Sequence, residues 1–288
     1  MYILNLGEID AVAFDIDGTL VGFDRKMPES TQDALNKARA NGHKIFLCTG
    51  RSLGQIYPFL MDFGFDGIVG AAGAYVTYGD TIIEHHTFGT KMMTHMLHTM
   101  ERRGGYFFLQ NTDNCVLTDV SLHVMGKLLG SGFGVKDAED YKGMLEAVIG
   151  PVVVDDELDK YAVKHADTES VVYSDCPVPL SIMQQDLGSK FKVTASSIDH
   201  PVESRGEITI AGVNKATGIQ AVMNHLNTPI EDVYAFGDGP NDLEMLSFAG
   251  TSVAMGNAQD KVKEISDIVT DHINENGIYN ALVKLGII

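Results

Sequence analysis

The run Ala11-Val-Ala-Phe-Asp15-Ile-Asp17-Gly-Thr19-Leu20 constrains this chain more than any other stretch. Four apolar residues lead into one aspartate, and a second follows two positions on, just ahead of Gly18. An uncharged apolar run this short suits a strand buried on both faces of a parallel sheet. Open α/β folds bind their ligands at the carboxyl ends of such strands, and Gly18 lets the chain turn sharply there. Two carboxylates held this close repel unless a cation sits between them or one keeps its proton. The pair is therefore either a plain Asp-Gly turn or a metal or acid–base site, and the rest of the chain decides.

The pattern recurs. His43-Lys-Ile-Phe-Leu-Cys48-Thr49 and Val233-Tyr-Ala-Phe-Gly237-Asp238 also read as buried strands ending at polar residues, with Thr251 to Met255 a shorter one. Between them lie helix signals. Pro28 precedes Glu29, Ser30 and Thr31, and Ala34, Leu35 and Ala38 follow at helical spacing up to Asn41-Gly42. Further helices are expected from Gly50-Arg51-Ser52 through about Phe63, over about Ala216–Leu226, from Asp242, and over Asp260–Ser266. Strand and helix alternating at this spacing predict βαβ units and a parallel sheet. Ile68 to Tyr78 reads as one strand with small residues at its centre.

From about Ile83 to Glu207 the rhythm changes. Two amphipathic helices, about Thr90–Arg103 and Ala138–Ile149, stand among short strand-like runs. These runs are Tyr106–Leu109, Val116–Thr118, Tyr161–Lys164, Ser170–Tyr173 and Lys192–Ser196. Such grouping predicts a smaller α+β domain, ending near Ser197 to Gly206. The expected architecture is α/β: a Rossmann-like parallel-sheet core (residues 1–83 and 208–288) interrupted by a smaller α+β cap (residues 84–207).

A length of 288 residues fits two domains. The formal charge of -18 argues against nucleic acid or an anionic membrane as partner, since both call for basic patches. An anionic substrate would need positive charge made locally, by a metal or a few placed cations. Cys48, Cys115 and Cys176 are far apart in sequence and read as reduced thiols of a cytoplasmic protein. Met1 to Asp10 lacks the basic flank and apolar core of a signal peptide. No apolar run reaches the roughly 18 residues that span a bilayer. Oligomeric state is not legible, and a homodimer stays open.

Asp15/Asp17, Thr49, Lys215 and Gly237-Asp238-Gly-Pro-Asn241-Asp242 stand in this order at expected element ends. The ordered set resembles the haloacid dehalogenase-like (HAD) phosphohydrolases. The place of the insertion and the G-D-x-x-N-D run look most like the Cof-type branch, whose type II α/β cap lies between the second and third motifs. The resemblance covers essentially the whole chain. It implies a Mg²⁺-dependent phosphatase acting on a small phosphorylated metabolite, a sugar phosphate foremost, through an aspartyl-phosphate.

The chemistry agrees with the resemblance. A phosphomonoester dianion reacts slowly, so a catalyst must neutralise charge and position an in-line nucleophile. The resemblance implies Asp15 as nucleophile, which splits the reaction into two steps. It implies Asp17 as general acid and then base, a role typically worth about 10²–10⁴-fold. Mg²⁺, a hard cation that binds one or two carboxylates beside phosphate oxygens, would be held by the Asp15 carboxylate, the Asp17 main-chain carbonyl and Asp238. Thr49 and the Gly50 backbone would hold a phosphoryl oxygen, Lys215 would stabilise the transferring charge, and Asn241 would reach phosphate or substrate. Asp242 would support the site and cap the following helix.

Arg51 reads equally well as a substrate contact or a surface cation. The alternative within phosphoryl transfer is a phosphomutase of the same superfamily, phosphomannomutase-like. A non-enzymatic metabolite sensor would call for a damaged motif, and Asp15, Asp17, Lys215 and Asp238 are all present. His85, His86, His95 and His98 read as surface residues, and Met92, Met93, Met96, Leu97 and Met100 as a packing stripe. Gly70 to Gly73 lacks the lysine of a P-loop. One departure stands out: Ala72-Gly73 occupies the place of an Asn-Gly pair expected in Cof-type relatives. It leaves the phosphoryl chemistry intact, and substrate identity does not carry over.

Overall fold

The computed structural model describes residues 10–22, 24–133, 141–158, 162–195 and 204–288. Expectations at residues 1–9, 138–140, 161 and 196–203 lie outside the described residues. The strands are β1 (Ala11–Phe14), β2 (Lys44–Cys48), β3 (Gly67–Gly70), β4 (Tyr75–Tyr78), β5 (Thr81–His85), β6 (Tyr106–Gln110), β7 (Cys115–Leu117), β8 (Val152–Val154), β9 (Ser170–Ser174), β10 (Phe191–Ala195), β11 (Gly206–Ile210), β12 (Val233–Gly237), β13 (Thr251–Ala254) and β14 (Ile268–Val269). The helices are α1 (Glu29–Ala40), α2 (Pro58–Phe63), α3 (Gly89–Arg103), α4 (Asp119–Phe133), α5 (Tyr141–Ile149), α6 (Leu180–Leu187), α7 (Lys215–Leu226), α8 (Leu243–Phe248), α9 (Asp260–Ile265) and α10 (Gly277–Lys284). They form two compact units. The first is Met1–Gly50, Met61–Glu84 and Asn214–Ile288, and the second is Arg51–Leu60 and His85–Val213.

The sheet of the first unit runs β14-β13-β12-β1-β2-β3-β4-β5. β1 sits between β12 and β2, parallel to both, with Ala11 opposite Val233 and Lys44, and Phe14 opposite Phe236 and Leu47. All four β1 residues are buried, and Phe14 stacks on Phe236 with ring centroids 4.8 Å apart. This explains the uniformly apolar run: a central strand with helices on both faces of its sheet has no solvent side.

The stretch from 68 to 78, expected as one strand, is two antiparallel strands, β3 and β4. The break is a turn at Ala71–Gly73, where Ala71, Ala72 and Gly73 have φ of 46°, 53° and 100°. A Cβ on Gly73 would fall on the backbone carbonyl of Asn214, the residue just before Lys215. The turn is thus pressed against the start of α7. Ala72, with ψ of 34°, is in the left-handed region that L-residues occupy at a cost of roughly 1–2 kcal/mol and Asn tolerates better. Ala72→Asn is therefore expected to stabilise the protein by about 0.5–1 kcal/mol, measured as a rise in urea midpoint at unchanged m-value.

The helix expected from 50 to 63 is shorter. A turn at Leu53–Gln55 comes first, and α2 begins only at Pro58, because proline fits the first helical position and keeps its predecessor extended.

In the second unit the sheet order is β10-β11-β9-β6-β7-β8. Neighbours on successive residues separate its two faces. Phe107, Leu109, Val171 and Tyr173 pack with Met93, Met96, Leu97 and Met100 of α3 and with Met183 and Leu187 of α6. Phe108 and Val172 pack instead with Leu122 and Met125 of α4 and with Met144 and Leu145 of α5. The methionine stripe is core packing, and His95 and His98 lie on the exposed side of α3. Helix α4 escaped the sequence reading because Gly126, Gly130 and Gly132 dilute its helical signal. Residues 162–164, expected in a strand, form a turn.

Segment 51–60 is built into this second unit. Arg51 donates through Nη1 to the carbonyls of Gln55 (3.2 Å) and Val148 (3.0 Å), and through Nη2 to the Tyr57 hydroxyl (2.9 Å). The Gln55 Oε1 accepts from the Ser52 amide (2.9 Å) and from Gln110 Nε2 (2.8 Å). Arg51 thus fastens its own turn to the end of α5.

Candidate active site

Because β1, β2 and β12 are adjacent and parallel, their carboxyl ends bring Asp15, Thr49 and Asp238 to one edge of the first unit. The Asp15 amide continues the ladder to the Phe236 carbonyl (3.0 Å), and the Thr49 amide to that of Val69 (2.8 Å). Asp15 and Thr49 are buried; Asp238 is partly buried.

Lys215 comes to the same place from α7. Asn214 caps the helix, its side chain accepting from the Thr217 amide (3.0 Å) while Thr217 Oγ1 accepts from the Asn214 amide (3.0 Å). The cap fixes where α7 starts, and Lys215, its first residue, turns inward with 1% of its surface exposed. Its Nζ donates to Asp15 Oδ1 and to Asp242 Oδ1, both at 2.6 Å. A cation at a helix N-terminus opposes the macrodipole, and the two carboxylates offset that.

Asp242 does not cap α8 as expected. It has αR backbone angles (φ −95°, ψ −12°) and makes no side-chain cap bond there, whereas a capping residue takes extended angles. Its Oδ2 reaches back over the turn Pro240–Asp242 to accept from the Asp238 and Gly239 amides, both at 3.0 Å. With Oδ1 on Lys215 and Oδ2 on two amides, Asp242 joins the helix-borne cation to the strand-end loop.

Two further residues complete the surroundings of Asp238: Gly18, expected only as a turn, and Thr19, to which the sequence assigned no role. Thr19 is fully buried and donates Oγ1 to Asp238 Oδ1 (3.0 Å). Gly18 has φ of 91°, and a Cβ there would fall on the Asp238 carboxylate. The motif position of Gly-Thr after the aspartates is the only signal that could have found them. Asn257 is a third: its Nδ2 donates to the Gly18 carbonyl (2.7 Å), and nothing in the sequence marks it. Asp17 and Asn241 are exposed. Gly50 is partly exposed, with no described atom within 4 Å of where its Cβ would stand.

Asp15, Asp238 and Asp242 each bring a carboxylate oxygen within 4.8 Å of the others. Burial, then the charge of Asp242, holds the Asp15 carboxyl well above the usual range. Burial and Asp242 push Asp238 to about 7, against the hydrogen bond from Thr19 and the charge of Lys215. Burial alone would lower the Lys215 pKa, but Asp15 and Asp242 overcome it and raise it. Three carboxylates facing one ammonium leave two negative charges in excess, which a divalent cation would balance. All-oxygen donors suit a hard ion such as Mg²⁺. Among the described residues no other three His, Cys, Asp or Glu side chains converge in this way. His85 pairs with Glu169 (3.0 Å), and His95 with the Asp186 carbonyl (3.1 Å).

A doubly covered, mainly parallel sheet carrying a buried lysine and an acidic centre at its strand ends, with an α+β unit inserted, defines an α/β enzyme of the hydrolase kind. The chain belongs to the haloacid dehalogenase-like hydrolase family, which it matches over residues 12–282. It is 30% identical over 275 residues to the 5-amino-6-(5-phospho-D-ribitylamino)uracil phosphatase YitU of Bacillus subtilis (strain 168), covering 93% of this chain and 94% of that one. The solved structure of the HAD subclass IIB sugar phosphatase BT4131 covers 97% of this chain and 100% of its own, with a TM-score of 0.75 at 26% identity. The HAD phosphatase BT1666 from Bacteroides thetaiotaomicron covers 100% of this chain and 98% of its own, with a TM-score of 0.77 at 25% identity.

Proposed function

We propose that this HAD-like phosphatase hydrolyses small phosphorylated metabolites, sugar phosphates foremost, with Mg²⁺ and through an aspartyl-phosphate on Asp15. The observation that carries the reading is Lys215 bridging Asp15 and Asp242 at 2.6 Å each, in a centre with negative charge to spare. Asp15 attacks phosphorus through Oδ2, since Lys215 engages Oδ1. As that bond forms, the bond from phosphorus to the leaving oxygen breaks, and Asp17 hands its proton to that oxygen so that an alcohol departs. Asp17, now a carboxylate, takes a proton from the water that attacks the aspartyl-phosphate. Inorganic phosphate leaves and both aspartates are restored. The exposure of Asp17 suits a group that must exchange protons with incoming water.

Lys215 balances charge as it gathers on the phosphoryl oxygens. Thr49, the Gly50 amide and Asn241 hold the phosphoryl group and substrate, and Asp242 keeps Lys215 and the 238–239 backbone in place. The Asp15 and Asp238 carboxylates and the Asp17 carbonyl would hold Mg²⁺, which when bound neutralises and orients the phosphate. The second unit acts as the cap that selects the leaving group. That BT4131 is a sugar phosphatase and YitU a phosphatase of a ribityl phosphate supports a substrate with phosphate on a polyhydroxylated carbon chain. We place this activity in the cytoplasm; among the described residues no helix is long and apolar enough to cross a membrane.

The test is Mg²⁺-dependent phosphate release from p-nitrophenyl phosphate and from a panel of hexose, pentose and ribityl phosphates. Release from none of them sinks the reading.

The charge balance also predicts a pH dependence. Asp238 titrates near 7 when folded and metal-free, and near 3.9 when unfolded. Between these values the folded state binds the extra proton, so the stability of the metal-free protein falls as pH rises. In chelator the protein is expected to melt higher at pH 5.5 than at pH 8, the contribution of this group being about 2–3 kcal/mol. Millimolar Mg²⁺ at pH 8 should recover most of the difference. Equal melting at both pH values without metal would contradict the crowded-carboxylate account.

A further inference from the structure

The loop between β13 and α9 is held from two sides by its backbone. The Met255 amide donates to the Gly237 carbonyl (3.0 Å) and the Gln259 amide to that of Asp238 (3.2 Å), while the Gly256 amide donates to that of Asp271 (3.0 Å). Asn257 stands at the middle of this loop, and its side chain faces two ways. Oδ1 accepts from the Ile273 amide (3.0 Å) and Nδ2 donates to the Gly18 carbonyl (2.7 Å). An amide N–H can only donate and a carbonyl can only accept, so the two partners fix which end of the Asn257 carboxamide is which. No carboxylate or aliphatic side chain serves both.

The Gly18 carbonyl belongs to the tight turn that presents Asp17. Inside this turn the Gly18 amide donates to the Val21 carbonyl (2.8 Å), Val21 to Ile16 (2.8 Å), Thr19 to Ile16 (3.3 Å) and Leu20 to Asp15 (3.3 Å). These bonds shape the turn, and the one from Leu20 ties its far end to the end of β1. Side chains from elsewhere in the first unit that reach it include Asp238, which accepts from Thr19, and Asn257, which grips the residue next to Asp17. Gly18 has φ of 91° and carries no side chain to stiffen it, and Asp17 is exposed.

We propose that Asn257 is a positioning residue for proton transfer by Asp17, acting through the Gly18 carbonyl. The inference rests on the phosphatase reading above. Without the Nδ2 bond the Gly18–Thr19 peptide loses its tie to the loop between β13 and α9, and the proton donor one residue earlier shifts from the line of the departing oxygen. The penalty then depends on the leaving group. An alkoxide leaving an alkyl phosphate takes up the proton as the P–O bond breaks, whereas p-nitrophenolate is stable enough to leave without it.

The test compares kcat/KM, which covers steps up to transfer of the phosphoryl group onto Asp15, for p-nitrophenyl phosphate and for the best alkyl phosphate of the panel. Asn257→Asp is nearly isosteric; it keeps an acceptor for the Ile273 amide and loses the donor to Gly18. Asn257→Ala loses both. Both variants should lose about 10²-fold on the alkyl phosphate, as for a misplaced general acid, and less than about threefold on the aryl phosphate. Equal loss on both substrates, no loss on either, or failure of both variants to fold by circular dichroism assigns Asn257 to structure and overturns the proposal. A wild-type protein inactive on both substrates removes the phosphatase reading itself, an outcome distinct from these.

Discussion

Asp15→Asn is expected to lower phosphate release by about 10³-fold or more while the protein stays folded, a loss of at least ~4 kcal/mol of transition-state stabilisation. The amide is nearly the same size as the carboxylate, and its oxygen can still accept from Lys215 Nζ, now 2.6 Å from Oδ1. What disappears is the nucleophilic electron pair and with it the covalent intermediate. Stability should move little, because the same change removes a buried charge that burial and Asp242 already disfavour. The informative outcome is this separation: melting within a few degrees of wild type, and activity gone on every substrate. A variant that keeps a tenth of wild-type activity would remove Asp15 from the role of nucleophile.

Lys215→Met should do the opposite and damage the fold itself. The methionine fills similar volume, yet Asp15 and Asp242 are left buried without the ammonium that both now hold. Removing one partner of a buried ion pair typically costs about 3–5 kcal/mol, because the other charge stays behind unpaired. The sign of the pH dependence follows. In the variant the Asp15 carboxyl, already raised, is driven up further without the ammonium, so the folded state binds more protons than the unfolded one above about pH 4. The loss relative to wild type should therefore be largest near pH 8 and shrink toward pH 5, measured by urea unfolding at each pH. Lys215→Arg is not a safe control, since a planar fork does not fit where a compact ammonium is enclosed. A loss below about 1 kcal/mol at pH 8 would mean that Lys215 does not hold this centre together.

The two variants divide the site into a part legible in the sequence and a part that is not. The strand-end placement of Asp15, Thr49 and Asp238 was legible because each follows a short apolar run, which has few other uses than a central strand, while their proposed roles came with the family resemblance. Lys215 was legible through its awkward place at a helix N-terminus, which called for an anion. Asp242 was noticed for its motif but expected at the wrong task. Its backbone angles, set by the turn Pro240–Asp242, swing the carboxylate back to the 238–239 amides rather than onto α8. The turn at Ala71–Gly73 was missed because apolar residues on both sides read as one strand. Only packing against Asn214 shows why the chain reverses there.

By itself, then, the sequence determined the parallel-sheet core, the acidic strand ends and the family, since each is written in local patterns of a few residues. Tertiary structure alone decided how the charges share one ammonium, that Thr19 and Asn257 reach the centre from 219 and 239 residues away from their partners, and that segment 51–60 is built into the second unit. The physical reason is the same in each case. Strand and turn propensities act between neighbours in sequence, whereas a hydrogen bond between a side chain and a distant backbone group leaves no periodicity to read.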